Sequence, residues 1–309
     1  MAARGARAAG GAVRRIGVLE TTSLPLNAAN FEAFRQALRE LGYIEGRNLV
    51  IEYRSAEGRP ERFPELAMEL VRLNCDLIIT RGTPAALAAK QASETIPIVM
   101  TSTADPFTLV SSIAHPVGNI TGLSSLSTDL YSKRLELLKE IIPGLARVAL
   151  LTNMGNPNSV RIRREVETAA RSLGIASPLL DVRKPEDIGP AFDAASNQRV
   201  DALIVALDTV TQTNRQFIAL LAARHRLPAI YTSREFVEAG GLMTYGVSFP
   251  DLYRRAAIYV DKIFKGAKPA ELPIEQPMKI DFVINLRAAK AIGLAIPETL
   301  LVRADEVIE

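Results

Sequence analysis

The stretch DLIITRGTPAALAAK, residues 76–90, joins a strand to a helix. Its first half is a short apolar run typical of a buried strand, and its second half is rich in alanine, which favours helix. Thr83 and Pro84 stand at the junction, which predicts Thr83 as the N-cap and Pro84 as the first helical residue. Such a helix start presents unpaired backbone N–H groups to an anion, although every strand-to-helix junction also needs a cap.

Two parts of the chain repeat this order of strands and helices. The first runs from RRIGVLE (14–20) to TIPIVMTSTADP (95–106), and the second runs from ARVALLTN (146–153) to RLPAIYTSREF (226–236). Between these limits, short β-branched runs alternate with stretches whose apolar residues recur at intervals of three and four. We therefore predict an α/β fold with two doubly wound parallel-sheet lobes, joined by a multi-strand hinge with a ligand cleft between them.

Segments outside the two repeats indicate that the chain crosses between the lobes more than once. HPVGNITGLSS (115–125) is a linker rich in Gly, Asn and Pro, and the helix predicted after Pro250 fits neither repeat. We predict a disordered head or leader remnant over 1–14, a first lobe over 15–121 plus 249–273, and a second lobe over 122–248 plus 274–309.

Composition argues against several classes of function. The 309-residue chain has a formal charge of +3, which becomes −1 when the four arginines among the first fifteen residues are left out, so no nucleic-acid partner is predicted. The single cysteine, Cys75, is expected to be a small buried hydrophobic residue. His115 and His225 are far apart and have no cysteine partner, so we predict neither a metal site nor a cofactor.

The first fifteen residues, MAARGARAAGGAVRR, carry the charge and small residues of a secretory leader without its apolar segment. They are interpreted as a truncated leader, a start-site artefact or a disordered cytosolic head. The rest of the sequence has no apolar run of membrane-spanning length.

Ligands of open parallel sheets bind beyond the carboxyl ends of the strands. The residues that follow the predicted strands here are rich in hydroxyl, amide and carboxylate groups. From these ends and the nearest aromatic side chains we predict ten ligand-binding residues: Thr22, Thr83, Pro84, Ser102, Asp105, Asn156, Asp208, Tyr231, Ser233 and Tyr245.

Nearly the whole chain from Arg15 onward resembles the bacterial ABC-transporter substrate-binding proteins of the type I periplasmic-binding fold, in the branch that includes tryptophan and tyrosine binders. The resemblance is carried by segments such as FRQALRELGYIEGRNLVIEYRS (34–55), GNITGLSS (118–125), KRLELLKEIIPGLARVALLTN (133–153) and INLRAAKAIGLAIPETLLVRADEVIE (284–309). It implies a two-lobed protein, periplasmic or membrane-associated, that closes on a small solute and presents it to an ABC permease of the inner membrane. A monomer is expected.

A zwitterionic solute, such as an amino acid, needs one charge of each sign in its pocket, because a buried unpaired charge is unfavourable. On this hypothesis Thr83 and the helix behind it bind the carboxylate, and Asp105, Asp208 or both neutralise the ammonium group. Asp105 is equally well interpreted as a turn residue before Pro106. Asp208 follows a buried strand, where a carboxylate needs a partner.

An aromatic side chain on the solute would need an apolar wall. Tyr231, Tyr245 and Phe107 are the nearest aromatic residues, although core packing is the favoured interpretation of Phe107. Asn156 and Asn158 flank Pro157 and are either hydrogen-bond donors to the solute or parts of a turn.

An enzyme is not predicted, because the chain has no phosphate-binding glycine loop and no nucleophile motif, and neither histidine falls at a strand end. The alternative to a transport protein is a cytosolic ligand sensor with the same fold, for which the incomplete leader is the argument. A DNA-binding repressor is disfavoured because the sequence has no helix-turn-helix segment at its start. The identity of the solute stays open.

Overall fold

The computed structural model describes residues 13–125 and 130–309, and it contains two separate sheets. The strands of the first sheet are β1 (Arg14–Glu20), β2 (Leu49–Ser55), β3 (Leu77–Arg81), β4 (Ile98–Ser102) and β5 (Ile120–Gly122). The strands of the second are β6 (Val148–Thr152), β7 (Leu179–Asp181), β8 (Ala202–Val205), β9 (Ala229–Tyr231), β10 (Met243–Val247), β11 (Ile280–Asn285) and β12 (Glu306–Ile308).

The helices alternate with these strands along both repeats. They are α1 (Ala28–Glu40), α2 (Phe63–Arg72), α3 (Thr83–Ala92), α4 (Tyr131–Ile141), α5 (Ser159–Ser172), α6 (Ile188–Asn197), α7 (Thr209–Thr213), α8 (Arg215–Arg224), α9 (Arg234–Glu238), α10 (Phe249–Phe264), α11 (Leu286–Ala291) and α12 (Glu298–Leu301).

The first sheet has the order β2-β1-β3-β4-β5, and all its strand pairs are parallel. The second sheet has the order β12-β11-β10-β9-β8-β6-β7 and is parallel except for the pair β10 and β11. Parallel strands require crossovers, which the intervening helices supply. The predicted fold class is therefore confirmed.

Each sheet is covered by helices on both faces, and we call the first sheet with its helices the first lobe and the second the second lobe. In the first lobe, α1 and α10 pack on one face around Phe31, Phe34 and Tyr253, while α2 and α3 cover the other. In the second lobe, α4 and α5 lie on one face, and α6, α8 and α9 lie on the other. Strands buried on both faces are mainly apolar: β8 is apolar throughout, and β3 is apolar up to its last two residues, Thr80 and Arg81.

The chain crosses between the lobes three times: after β5, between β10 and α10, and before β11. Two of these crossings are hydrogen-bonded to each other, since the Ser124 N–H donates to the Glu275 carbonyl at 2.8 Å and the Glu275 N–H donates to Gly122 at 3.0 Å. The third is held nearby, because the Ser248 N–H donates to Lys279 at 3.1 Å. This arrangement is the multi-strand hinge that the extra segments predict.

Two smaller predictions concern single features. Cys75 is 4% exposed and packs in the core between β1 and α2, as expected of a small hydrophobic residue. The predicted head, residues 1–14, lies outside the described part of the chain apart from Val13 and Arg14, so its interpretation stays a prediction. Across the described ranges, no helix has the length and apolar character needed to span a bilayer.

Candidate functional site

A cavity lies between the lobes, at the carboxyl ends of strands from both sheets. The volume of this cavity is about 30 Å³, so little space is left between the lobes. It is lined by Thr21, Arg81, Gly82, Thr83, Pro84, Ser102, Ala104, Ser125, Asn156, Asn158, Leu207, Asp208, Thr209 and Gln212. The cleft predicted from the strand ends is therefore the place where polar side chains of the two lobes converge.

Asp208 is the acidic residue of the cavity wall. It follows β8 and accepts hydrogen bonds from Asn153 Nδ2 at 3.1 Å, Asn156 Nδ2 at 2.8 Å and the Val210 N–H at 2.9 Å. Its side chain is 6% exposed, and burial raises the pKa of its carboxyl above the ordinary value, against the effect of these bonds. Among the described residues no cation forms an ion pair with it, so it offers a negative charge to a ligand.

The start of α3 forms the opposite wall. Gly82, with a φ of 84°, is the N-cap, and Thr83 and Pro84 are the first two helical residues. The predicted cap was therefore one residue too late, because the turn out of β3 needs a backbone conformation that glycine adopts easily. The first intrahelical bond runs from the Ala86 N–H to Gly82. Since Pro84 has no N–H, the groups left for a ligand are the Thr83 and Ala85 N–H groups, which have no backbone partner among the described residues.

The Thr83 hydroxyl is already engaged. It lies 2.8 Å from Thr103 Oγ1 within its own lobe and accepts a hydrogen bond of 2.7 Å from Asn158 Nδ2 of the second lobe. Thr83 therefore joins the two walls of the cleft, in addition to opening α3.

Two buried oxygen atoms on the cavity wall have no hydrogen-bond partner in the part of the chain that the structure describes. They are Thr21 Oγ1 in the first lobe and Asn158 Oδ1 in the second. Buried polar atoms are nearly always paired, and Asn158 Oδ1 can only accept. A ligand with hydrogen-bond donors would satisfy it.

Arg81 ends β3 and forms the floor of the cavity. Its Nη2 lies 3.0 and 3.1 Å from the two carboxylate oxygens of Glu235, which belongs to α9 in the other lobe, and its guanidinium stacks on Phe249. Burial opposes the charge on Arg81, but the neighbouring Glu235 outweighs it and the pKa of the guanidinium is raised. This cation is consequently neutralised from within the protein.

Further bonds across the cleft show that the lobes are closed on each other. Thr213 Oγ1 donates to the Thr21 carbonyl at 3.2 Å, Arg215 Nη2 donates to Leu26 at 2.6 Å, and Arg161 Nη1 lies 3.3 Å from Asp105 Oδ2. The cavity is thus enclosed by two lobes in contact.

Five of the ten predicted residues line the cavity: Thr83, Pro84, Ser102, Asn156 and Asp208. Asp105 does not; its carboxylate caps the turn that starts at Pro106 and pairs with Arg161. Thr22 is fully buried, and its carbonyl accepts from Tyr53. Ser233 is also buried, with its hydroxyl 3.3 Å from Gln212 Oε1.

The three aromatic residues considered for an apolar wall lie elsewhere. Tyr231 is fully buried and stacks on Phe236 within the second lobe. Tyr245 packs edge-on against Phe282. Phe107 is 58% exposed, so the expectation of core packing was wrong: the turn after Asp105 directs it outward. The apolar wall is formed instead by Pro84, Ala104 and Leu207, among side chains of the described ranges.

Sequence reasoning missed Arg81, Ser125 and Gln212 as members of the wall. Arg81 was detectable, because a charged residue at the end of a buried strand is the same signal that selected Asp208. Gln212 lies inside α7 and carries no comparable signal. In the two described ranges no group of three or more His, Cys, Asp or Glu side chains could hold a metal ion.

Comparisons with known proteins give this cleft a family context. The family described as ABC transporter substrate binding protein matches residues 15–308. A tyrosine-binding protein of Clostridioides difficile is 25% identical over 284 residues, which cover 91% of this chain and 81% of that protein.

Two solved structures are similar over nearly their whole length. A conserved domain protein from Vibrio cholerae has a TM-score of 0.89 and 29% identity, covering 96% of this chain and 99% of that one. An ABC domain from Streptococcus pneumonia in complex with L-Trp has a TM-score of 0.86 and 26% identity, with the same coverage.

Proposed function

Because the chain belongs to the family of ABC transporter substrate-binding proteins, we propose that its cleft binds a free amino acid, preferably an aromatic one. The observation that carries this proposal is the buried, unpaired carboxylate of Asp208 facing the free N–H groups of α3 across one cavity. A negative group opposite a helix N-terminus is complementary to a zwitterion.

The ammonium group is assigned to the second-lobe wall. Asp208 supplies the charge, and Asn158 Oδ1, which lacks a partner within the described residues, supplies a further acceptor. Asp105 is left out of this role because Arg161 already pairs with it. Of the two carboxylates that the sequence offered, Asp208 is therefore the one proposed.

The carboxylate is assigned to the first-lobe wall, where the first turn of α3 and the strand end at Ser102 meet. Backbone N–H groups at a helix start form charge-assisted hydrogen bonds with anions, and the helix dipole adds to the attraction. Arg81 lies below this wall, but the Glu235 carboxylate already neutralises its positive charge.

The side chain is assigned to the apolar wall of Pro84, Ala104 and Leu207. The preference for an aromatic side chain rests on two relatives, one a tyrosine-binding protein and the other solved in complex with L-Trp. Prolyl and leucyl surfaces supply apolar contact for a ring, and the lobes have to move apart to admit it, because the cavity between them measures only about 30 Å³.

In this proposal the protein is the solute-binding component of an ABC importer, acts as a monomer outside the cytoplasmic membrane, and delivers its solute to a membrane permease. The lobes close on the solute through the three-crossing hinge. The solute is released unaltered, because the wall provides hydrogen bonds and charges for recognition, and the family is one of binding proteins.

A thermal-shift screen over the amino acids and aromatic acids tests the proposal. A ligand present at 100 times its Kd should stabilise the protein by about 2.7 kcal/mol. Calorimetry should then compare the best ligand with its amide and with its deaminated acid, both of which should bind more weakly than the amino acid. Absence of a shift with every amino acid, or equal affinity for all three compounds, would contradict the proposed function.

Thr83→Ala tests the junction between the walls. The variant removes the hydrogen bond from Asn158, which is worth about 0.5 to 1.5 kcal/mol and exists only when the lobes are closed. We expect a loss of affinity of roughly three- to tenfold, with the preference for the acid over the amide retained, because backbone N–H groups hold the carboxylate.

Thr103→Ala is the matched control for Thr83→Ala. Thr103 bonds the same hydroxyl from within the first lobe, so its loss should lower the melting temperature and leave affinity nearly unchanged. A Thr83→Ala protein that loses the acid preference would instead place the Thr83 hydroxyl on the ligand carboxylate.

A further inference from the structure

Three charged side chains lie together below the cavity, at the junction of the lobes. Glu20 ends β1 and Arg81 ends β3, while Glu235 belongs to α9 of the second lobe. They are 1%, 2% and 9% exposed, respectively. Two carboxylates therefore lie near the Arg81 guanidinium where there is little water, which disfavours ionisation of both at once.

Glu235 is the carboxylate that forms the ion pair with Arg81. Besides its two contacts with Arg81, it accepts a hydrogen bond from Asn30 Nδ2 at 2.5 Å and another from Gln212 Nε2, and Arg215 of α8 also faces it. Burial opposes its ionisation, but Arg81 outweighs burial and lowers the pKa of the Glu235 carboxyl. The ion pair between the lobes is fully formed in the closed protein.

Glu20 lies at the other end of the same network. It accepts a hydrogen bond from the Tyr253 hydroxyl of α10, and the Tyr53 ring of β2 faces it. Asn27 connects this end to the ion pair, because its Nδ2 donates to Tyr253 at 3.3 Å and its Oδ1 accepts from Arg81 Nη1 at 3.0 Å. Glu20 has no direct ion pair with any residue that the structure describes.

The closed arrangement therefore favours a neutral Glu20. Burial raises the pKa of the Glu20 carboxyl from 4.5 to about 7, and the second carboxylate, Glu235, adds to the rise. Arg81, the hydrogen bond from Tyr253 and the Thr21 N–H act in the opposite direction without restoring the ordinary value.

Opening of the lobes changes this balance. Glu20 and Arg81 sit on neighbouring strands of one sheet and stay together, whereas Glu235 leaves with the second lobe. Because Glu235 and Gln212 both leave with the second lobe, we expect water to enter the cluster, where Glu20 is then the carboxylate left near Arg81. We propose that Glu235 is a positioning residue that latches the closed lobes through Arg81, and that Glu20 takes up a proton whenever this latch forms. The proposal rests on the proposed function only in taking lobe closure as the binding event.

The sign of the resulting pH dependence follows from linkage. A group whose pKa is higher in the closed than in the open form favours closure below the closed-form pKa, and this contribution is lost as the pH rises through about 7. If the open form has the ordinary value, affinity should be about tenfold higher at pH 6 than at pH 8, with uptake of about half a proton per ligand at pH 7.

Calorimetry with L-tryptophan measures the proton directly. Titrations of the wild-type protein at pH 7 in buffers of different ionisation enthalpy should give heats that vary with the buffer, with the sign of proton uptake. Heats that are independent of the buffer would overturn the proposal without any variant. Absence of binding by L-tryptophan and by L-tyrosine would count against the proposed function instead.

Glu20→Gln is the matched variant, since glutamine keeps the shape of the neutral acid. It should hold the wild-type affinity of pH 6 across the range from pH 6 to pH 8 and take up no proton. Glu235→Gln should weaken binding about tenfold or more at both pH values, because it removes the negative charge that pairs with Arg81 between the lobes. The exposed His115 and His225 remain in both variants. A Glu20→Gln protein that keeps the wild-type pH dependence would overturn the assignment.

Closure can also be followed without any ligand. Spin labels are attached at Glu61→Cys and Lys184→Cys, two exposed positions that flank the mouth of the cleft near Pro60 and Arg183. The native Cys75 is buried and should not react with the label. The closed fraction should rise from pH 8 to pH 6 in the labelled protein and be independent of pH when Glu20→Gln is added. Equal pH responses of the two labelled proteins would contradict the latch, whichever solute the protein binds.

Discussion

Asp208→Asn should weaken the binding of an amino acid by about 100-fold or more. Removing one member of a buried, hydrogen-bonded charge pair weakens binding by about 2 to 5 kcal/mol, and about 2.7 kcal/mol corresponds to 100-fold. The substitution keeps the size of the side chain and a carbonyl oxygen for the Val210 N–H. Titration calorimetry with the best amino acid of the screen measures the change.

Three controls separate a role in binding from a role in folding. Asp105→Asn removes the other carboxylate that the sequence suggested, and since Arg161 already pairs with Asp105, affinity should fall by less than about fivefold. Unliganded Asp208→Asn should still fold and lose no more than about 1 to 3 kcal/mol of stability, since one of the two asparagine donors loses its acceptor while burial of a carboxylate is avoided. A deaminated acid should bind wild type and Asp208→Asn equally. If the amino acid also bound both equally, Asp208 would not hold the ammonium group.

Gly122→Ala should destabilise the protein more than any substitution on the cavity wall. A Cβ built at Gly122 would lie 2.3 Å from the Met100 carbonyl oxygen and 2.5 Å from the Met100 nitrogen, and the glycine has a φ of +126°. Met100 is its partner in the pair of β4 and β5, so the clash is with backbone that cannot move without loss of the strand pair. We expect a loss of more than about 4 kcal/mol in the free energy of unfolding.

Gly118→Ala is the matched control for this effect. Gly118 also has a positive φ, of +90°, but nothing lies within 4 Å of its added Cβ. Its substitution should therefore lower stability by only about 1 to 2 kcal/mol, from backbone strain alone. Denaturation of the two variants side by side measures the difference, and equal losses would show that strain, without the clash, accounts for Gly122.

The fold could be predicted from the sequence because the local pattern of apolar and polar residues in both repeats indicates alternating strands and helices. The central strands β4, β6 and β8 are mainly apolar, since both sheet faces are covered, and polar residues stand at or shortly after their ends. Asp208 and Ser102 were found in this way, because the carboxyl ends of parallel strands meet at one edge of a sheet. More than one crossing between the lobes was predicted from segments that fit neither repeat, and the structure has three.

The rest of the site depends on distances that the sequence does not contain. Glu235 reaches Arg81 from a short helix in the other lobe, and no local pattern connects the two residues. Tyr231 was selected because it ends a strand, but its ring turns into the core beside Phe236. A strand end determines where the backbone stops, whereas the direction of its last side chain depends on packing.

The crossing between β10 and α10 also bears on how the chain is made. Helix α10 covers one face of the first sheet and packs along α1, yet it is translated only after the second repeat is complete. After β1 to β5 have been synthesised, the first sheet therefore still lacks α10, and its apolar face around Val18, Ile79 and Val99 is incompletely covered. Transiently exposed apolar surface promotes aggregation during synthesis. The first lobe should need protection by a chaperone, or slow maturation, until Phe249–Phe264 has emerged.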